Sequence, residues 1–213
     1  MRNVYKSFLD KQYDSHKDTP TSLEAMQKKV YKVPEDVHVE TIDEITYVTL
    51  EGSDTIVDWF RNICIFKKHD THRGFLRYAN YCIDKYDLVN ILRNYPRIVL
   101  TGHSLGAAAI VIIAHALKEH LKNVIEIVVF GCPRIGGKAF AHRLNNARDV
   151  IPPICSYQYG RDIVCTIPYT FLGFTSTVQP IVIPSLRTYR WFPRIRNHHI
   201  DEYISGLHSE DST

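Results

Sequence analysis

Ser104 stands between two glycines in RIVLTGHSLGAAAIVIIAHAL, residues 97–117, where a β-branched run gives way to an apolar segment free of Gly and Pro. Residues 97–101 read as a short buried strand and 107–117 as a helix of several turns. The serine therefore sits at the tip of a sharp strand-to-helix turn. Gly102 and Gly106 lie where the two backbones pass too closely for a Cβ, and the strained turn lifts the hydroxyl clear of the sheet. The helix N-terminus just beyond favours negative charge nearby. A hydroxyl presented in this way is suited to attack a carbonyl carbon, provided the chain also supplies a base and a group to orient that base.

Between Ser104 and the histidine pair at 198 and 199 there are four acidic residues: Glu119, Glu126, Asp149 and Asp162. Glu119 falls on the helix after the turn and Glu126 within a strand at 124–130, so neither is placed on a loop at the sheet's carboxyl edge. Asp149 reads as a solvated loop residue before Pro152 and Pro153. Asp162 follows the strand-like ICSYQY and the turn residue Gly160, where a carboxylate can accept an imidazole N–H and stabilise the imidazolium. After Asp162 come His198, His199 and His208, and the order Ser, Asp, His is that of an α/β-hydrolase. His208 lies in a polar tail, which leaves His198 and His199 at the entrance to a terminal helix with Ile200, Tyr203, Ile204 and Leu207 on one face.

The chain resembles the class 3 lipases. The blocks that carry the resemblance are GHSLGAA at the turn, FGCPRIGGKAF at 130–140, YGRDIVCTIP at 159–168 followed by FLGF, and HHIDEYI at 198–204. Upstream, YVTLEGSDTIVDWF at 47–60 resembles the family's oxyanion segment, and HRGF at 72–75 matches its His-x-Gly-Phe, in which His72 has a structural part. The resemblance implies an α/β-hydrolase fold and a Ser104, Asp162, His198 triad. His198 is selected because the family's histidine lies five residues before a tyrosine. It implies oxyanion donors at Ser53 and at the backbone N–H of Leu105, each worth roughly 3 to 4 kcal/mol. Two positions depart from the family: Glu51 stands where Arg is usual, and Cys165 where Pro is usual. The family also covers its site with a lid, here residues 54–66, where Ile56, Trp59, Phe60 and Ile63 recur at helical spacing. That face fits either a lid that meets lipid or an ordinary helix packed on the sheet.

The elements that must hold these groups alternate along the chain. Strands are expected near 37–42 and 45–51, a long helix near 74–94, alternating strands and helices through the turn to Ala147, strands near 154–159 and 178–183, and a final helix. Such alternation gives an α/β fold with a mostly parallel central sheet and helices on both faces. With 213 residues, 45% of them hydrophobic, and no Pro/Gly-rich linker, residues 1–213 read as one domain with a polar arm to about Lys32.

MRNVYKSFLDKQYDSHKD has no apolar core of signal-peptide length, so the expectation is an intracellular protein, peripheral to membranes where it meets them. Five cysteines, without CxxC or metal spacing, read as reduced thiols. No metal or nucleotide motif is visible, and triad hydrolysis needs no cofactor. A net charge of +3 is too small to imply nucleic acid. RTYRWFPRIRNHH at 187–199 mixes four arginines with Tyr189, Trp191 and Phe192, a composition suited either to an anionic lipid interface or to a solvated loop. The expected function is hydrolysis of lipid acyl esters through an acyl-enzyme. The rivals are hydrolysis of small soluble esters or thioesters, and an interaction module without turnover. Oligomeric state is not legible in the sequence.

Overall fold

The computed structural model describes residues 36–50, 66–185 and 195–210. Ser53, Glu51, Cys64, the N-terminal arm, residues 54–65 and residues 187–194 lie outside the described residues.

Six strands form the main sheet: β1 (Val37–Ile42), β2 (Ile45–Leu50), β5 (Ile98–His103), β6 (Val124–Phe130), β7 (Ile154–Tyr159) and β8 (Pro180–Ile183), side by side in that order. β1 runs antiparallel to β2, and every other neighbouring pair is parallel. Between β2 and β5 come a two-residue ribbon, β3 (Lys67–Lys68) and β4 (Thr71–His72), then helices α1 (Arg73–Lys85) and α2 (Leu88–Asn94). Helix α3 (Leu105–Ala116) follows β5, α4 (Lys138–Asn146) follows β6, and α5 (Ile200–Glu210) closes the fold.

Alternation along each strand divides the core in two. Leu50, Ile98, Leu100, Ile127 and Val129 face one side, where α1, α3 and α4 cover them, and Tyr47, Val99, Val128, Phe130 and Tyr157 face the other, where α5 adds Ile200 and Tyr203. Helix α3 is buried all round from Leu105 to Ala114 because it lies between the sheet and α1, as its unbroken apolar composition requires. Helices therefore cover both faces of a mostly parallel sheet.

The long helix expected at 74–94 is two helices. Its break is at Asp87, which adopts a left-handed conformation (φ 46°, ψ 53°) that a short polar side chain tolerates. Glu119 is on a 3₁₀ turn, Lys118–Asn123, that follows α3, and His208 belongs to α5, not to a tail. Among the described residues no helix is long and apolar enough to cross a membrane.

Candidate active site

Three neighbouring parallel strands end at the same edge of the sheet, and each delivers one piece of the site. After β5 the chain turns at Ser104, whose φ of 59° and ψ of −119° are rare for a residue with a side chain. Such strain costs on the order of 1–3 kcal/mol. It is offset by the burial of α3, whose larger aliphatic side chains contribute roughly 1.5–3 kcal/mol apiece. A Cβ at Gly102 would fall 2.7 Å from the Gly106 carbonyl carbon, so the strand can turn into the helix only with glycine there. The Ser104 N–H donates to the Phe130 carbonyl at 3.0 Å, which pins the turn to the end of β6. Leu105 is the first residue of α3, where a backbone N–H has no carbonyl one turn earlier to receive it.

After β6, Gly131 has φ +58°, and its N–H donates to the Tyr157 carbonyl at 3.0 Å. A Cβ on it would lie 2.8 Å from His198 Cε1 and 3.0 Å from Asp162 Oδ2. Glycine thus leaves the space that the imidazole and carboxylate occupy. Arg134 then fastens the next loop: its backbone N–H donates to Ile167 O at 2.8 Å, and its guanidinium to the carbonyls of Thr166 and Pro168.

After β7, that loop presents Asp162, fully buried. Its Oδ1 accepts the Val164 N–H at 2.9 Å, and its Oδ2 accepts both His198 Nδ1–H at 2.7 Å and the Tyr203 hydroxyl at 2.6 Å. Burial pushes this carboxyl up, but the His198, Tyr203 and Val164 donors outweigh it and hold the group below the ordinary carboxylate value. Asp162 is therefore a carboxylate, and because a carboxylate only accepts, Nδ1 of His198 carries the shared hydrogen. In a neutral imidazole held this way, Nε2 is the acceptor. His198 is itself buried, whereas His199 is exposed.

His198 Nε2 and Ser104 Oγ are both buried without a hydrogen-bond partner among the described residues. Such atoms cost free energy unless a ligand or a rearrangement pairs them.

Of the residues singled out in the sequence, the structure brings Asp162 and His198 into contact, sets Ser104 and Leu105 at the neighbouring strand end, and leaves Ser53 undescribed. Glu126 lies inside β6 and Asp149 is exposed. His72 is buried and caps α1, its Nδ1 accepting the Phe75 N–H at 3.3 Å, and burial lowers it to about 4. Cys132 is pushed up to about 12 by burial, so it stays a thiol at neutral pH. Sequence reasoning missed Gly131, His103 and the contact made by Tyr203. The only local signal for the first was a Gly closing a β-branched strand.

A family model described as lipase (class 3) matches residues 46–172. A secreted mono- and diacylglycerol lipase of Malassezia globosa is 27% identical over 182 residues, 84% of this chain and 54% of that protein. Phospholipase A1-IIdelta of Arabidopsis thaliana is 33% identical over 96 residues, 44% of this chain and 23% of that protein. The crystal structure of a lipase from Rhizopus microsporus var. chinensis superposes with a TM-score of 0.56 at 26% identity, covering 65% of this chain and 53% of that one. The chain spans about half the length, or less, of these curated relatives.

The intracellular expectation is corrected by the same comparison, because the Malassezia relatives are named as secreted proteins. The first residues of a chain that spans about half of its relative carry no information about export.

Proposed function

The chain belongs to the class 3 lipase family, and from that premise we propose that it hydrolyses acyl esters of lipids by acyl-enzyme chemistry at Ser104. One observation supports this most: the Ser104 hydroxyl and the His198 Nε2 are both buried with no hydrogen-bond partner among the described residues, and a carboxylate holds the other nitrogen of that imidazole. In the proposed sequence Ser104 Oγ attacks the ester carbonyl carbon as His198 Nε2 takes the hydroxyl proton, and Asp162 stabilises the imidazolium. The charge that collects on the carbonyl oxygen faces the N-terminus of α3, where Leu105 N–H is the donor; the resemblance assigns Ser53 as the second. Collapse breaks the bond to the alcohol, which leaves with the proton from His198. Water, deprotonated by the same nitrogen, then attacks the acyl carbon, and release of the fatty acid returns the proton to Ser104.

The names of the relatives favour monoacyl- and diacylglycerols, or phospholipids, as the substrates. Contact with lipid aggregates is supported at the loop beyond Asp162. There Tyr169 and Phe171 are 49% and 82% exposed and stack at 5.5 Å, with Phe66 exposed beside Lys67. Lys67 Nζ donates to Gly173 O at 3.0 Å, so the ribbon and this loop form one edge. Phe171→Glu is expected to leave turnover of monomeric esters unchanged and to lower turnover of micellar esters about 10- to 100-fold, since withdrawing one Phe from lipid is worth roughly 1.5–3 kcal/mol. Equal loss on both substrate forms would remove the interface from the proposal.

The reading itself is tested with a fluorophosphonate probe, followed by mapping of the adduct and assays on p-nitrophenyl esters of several chain lengths. The expected results are an adduct at Ser104 and faster turnover above the micellar threshold. Turnover of monomeric short esters alone would favour a soluble-ester esterase. Folded protein that neither labels nor turns over would leave the interaction module.

A further inference from the structure

The residue immediately before Ser104 is tied to His198 in two ways. His103 Nε2 lies 2.8 Å from the His198 carbonyl oxygen, and because a carbonyl only accepts, the nitrogen donates. The two imidazole rings also stack, with centroids 4.5 Å apart and planes at 27°. Tyr203, which donates to Asp162, meets the His103 ring edge-on at 6.0 Å. Burial, with the neighbouring His198 as a lesser cause, lowers His103 to about 3, so the ring is neutral and the bond fixes its Nε2–H tautomer.

We propose that His103 is a positioning residue, which holds the main chain of His198 against the turn that carries Ser104. The proposal rests on the reading of Ser104 as nucleophile and His198 as base. It accounts for how a histidine 94 residues downstream of Ser104 is kept in register with it. Asp162 fixes the ring of His198 at Nδ1, which leaves the ring free to swing about that bond. The His103 bond fixes the carbonyl of the same residue, and the stack fixes the plane of the ring. Two anchors and one face determine where Nε2 points. Since His103 adjoins the serine in the chain, any shift of the turn carries the His198 anchor with it.

Three variants separate this role from simple packing. His103→Ala removes both bond and stack, His103→Phe keeps a ring without the donor, and His103→Gln places an amide N–H at about the same reach. Expected are kcat and fluorophosphonate labelling rates lowered roughly 10- to 100-fold in Ala and Phe, with KM and thermal midpoint near wild type, and recovery to within about threefold in Gln. In the protein without substrate, the low-field Nδ1–H proton of His198 is expected to be sharp in wild type and Gln and broadened by exchange in Ala and Phe. That resonance reports positioning whether or not the wild type hydrolyses esters, so failure of the enzyme reading is seen separately. Should His103→Ala not fold, Gln against Phe decides the matter. Activity and resonance unchanged in Phe, or a loss in Gln as deep as that in Phe, would overturn the proposal.

Discussion

Asp162→Asn is expected to lower kcat about 10⁴-fold while leaving the fold in place. The substitution keeps the volume of the side chain and an oxygen to accept the Val164 N–H, so the backbone of the loop has no reason to move. It inverts the chemistry on the other side. Oδ2 now accepts from two donors, His198 Nδ1–H and the Tyr203 hydroxyl. An amide NH₂ there donates instead. To receive it, His198 must present a bare Nδ1 and move its proton to Nε2, which then has no lone pair for the Ser104 proton. Tyr203 can turn its hydroxyl to accept, so the cost falls on the imidazole. Steady-state kinetics with a thermal melt checks this: a midpoint near wild type and a collapse of kcat are expected. A variant with kcat within tenfold of wild type would mean that Asp162 does not orient the base.

Gly131→Ala is expected to be the next most damaging change, about 100-fold or more in kcat. The added methyl meets His198 Nδ1 at 2.9 Å and Asp162 Oδ2 at 3.0 Å, so the pair must separate to admit it. The positive φ adds backbone strain on the order of 1 kcal/mol or more. Gly173→Ala is the matched control, because Gly173 also has a positive φ, of 79°, but a Cβ there meets only the flexible end of Lys67. Both variants should lose stability, and only Gly131→Ala should lose activity beyond what its melting curve explains. Equal activity in the two would show that the crowding relaxes without displacing His198.

These two sites differ in how far they could be read from the chain. The Ser104 turn was legible because strand, glycine, serine, glycine and helix are consecutive, so local chemistry alone specifies the geometry. Asp162 stood out by elimination and chain order, while the choice of His198 over His199 came only from the family resemblance, and the two side chains meet across 36 residues. Gly131, His103 and the Tyr203 hydroxyl were not reached. Each owes its role to what tertiary packing sets beside it, and none carries a local pattern that distinguishes it from an ordinary strand end or helix face. Asp87 shows the same limit at the level of elements: the apolar pattern runs on from α1 into α2, while one left-handed residue breaks the backbone between them. Composition misled about compartment, since what it describes is the first residues of this chain and not the history of the protein.

The backbone angles at Ser104 have a further bearing on how such a protein can change over generations. The hydroxyl is aimed by main-chain torsion and by peptide groups at the ends of β5 and β6, not by the side chains that would line an acyl pocket. On the proposed reading, mutations that reshape the loops around it alter which ester is accepted without disarming the serine, so that reactivity is inherited with the sheet while substrate preference drifts over it.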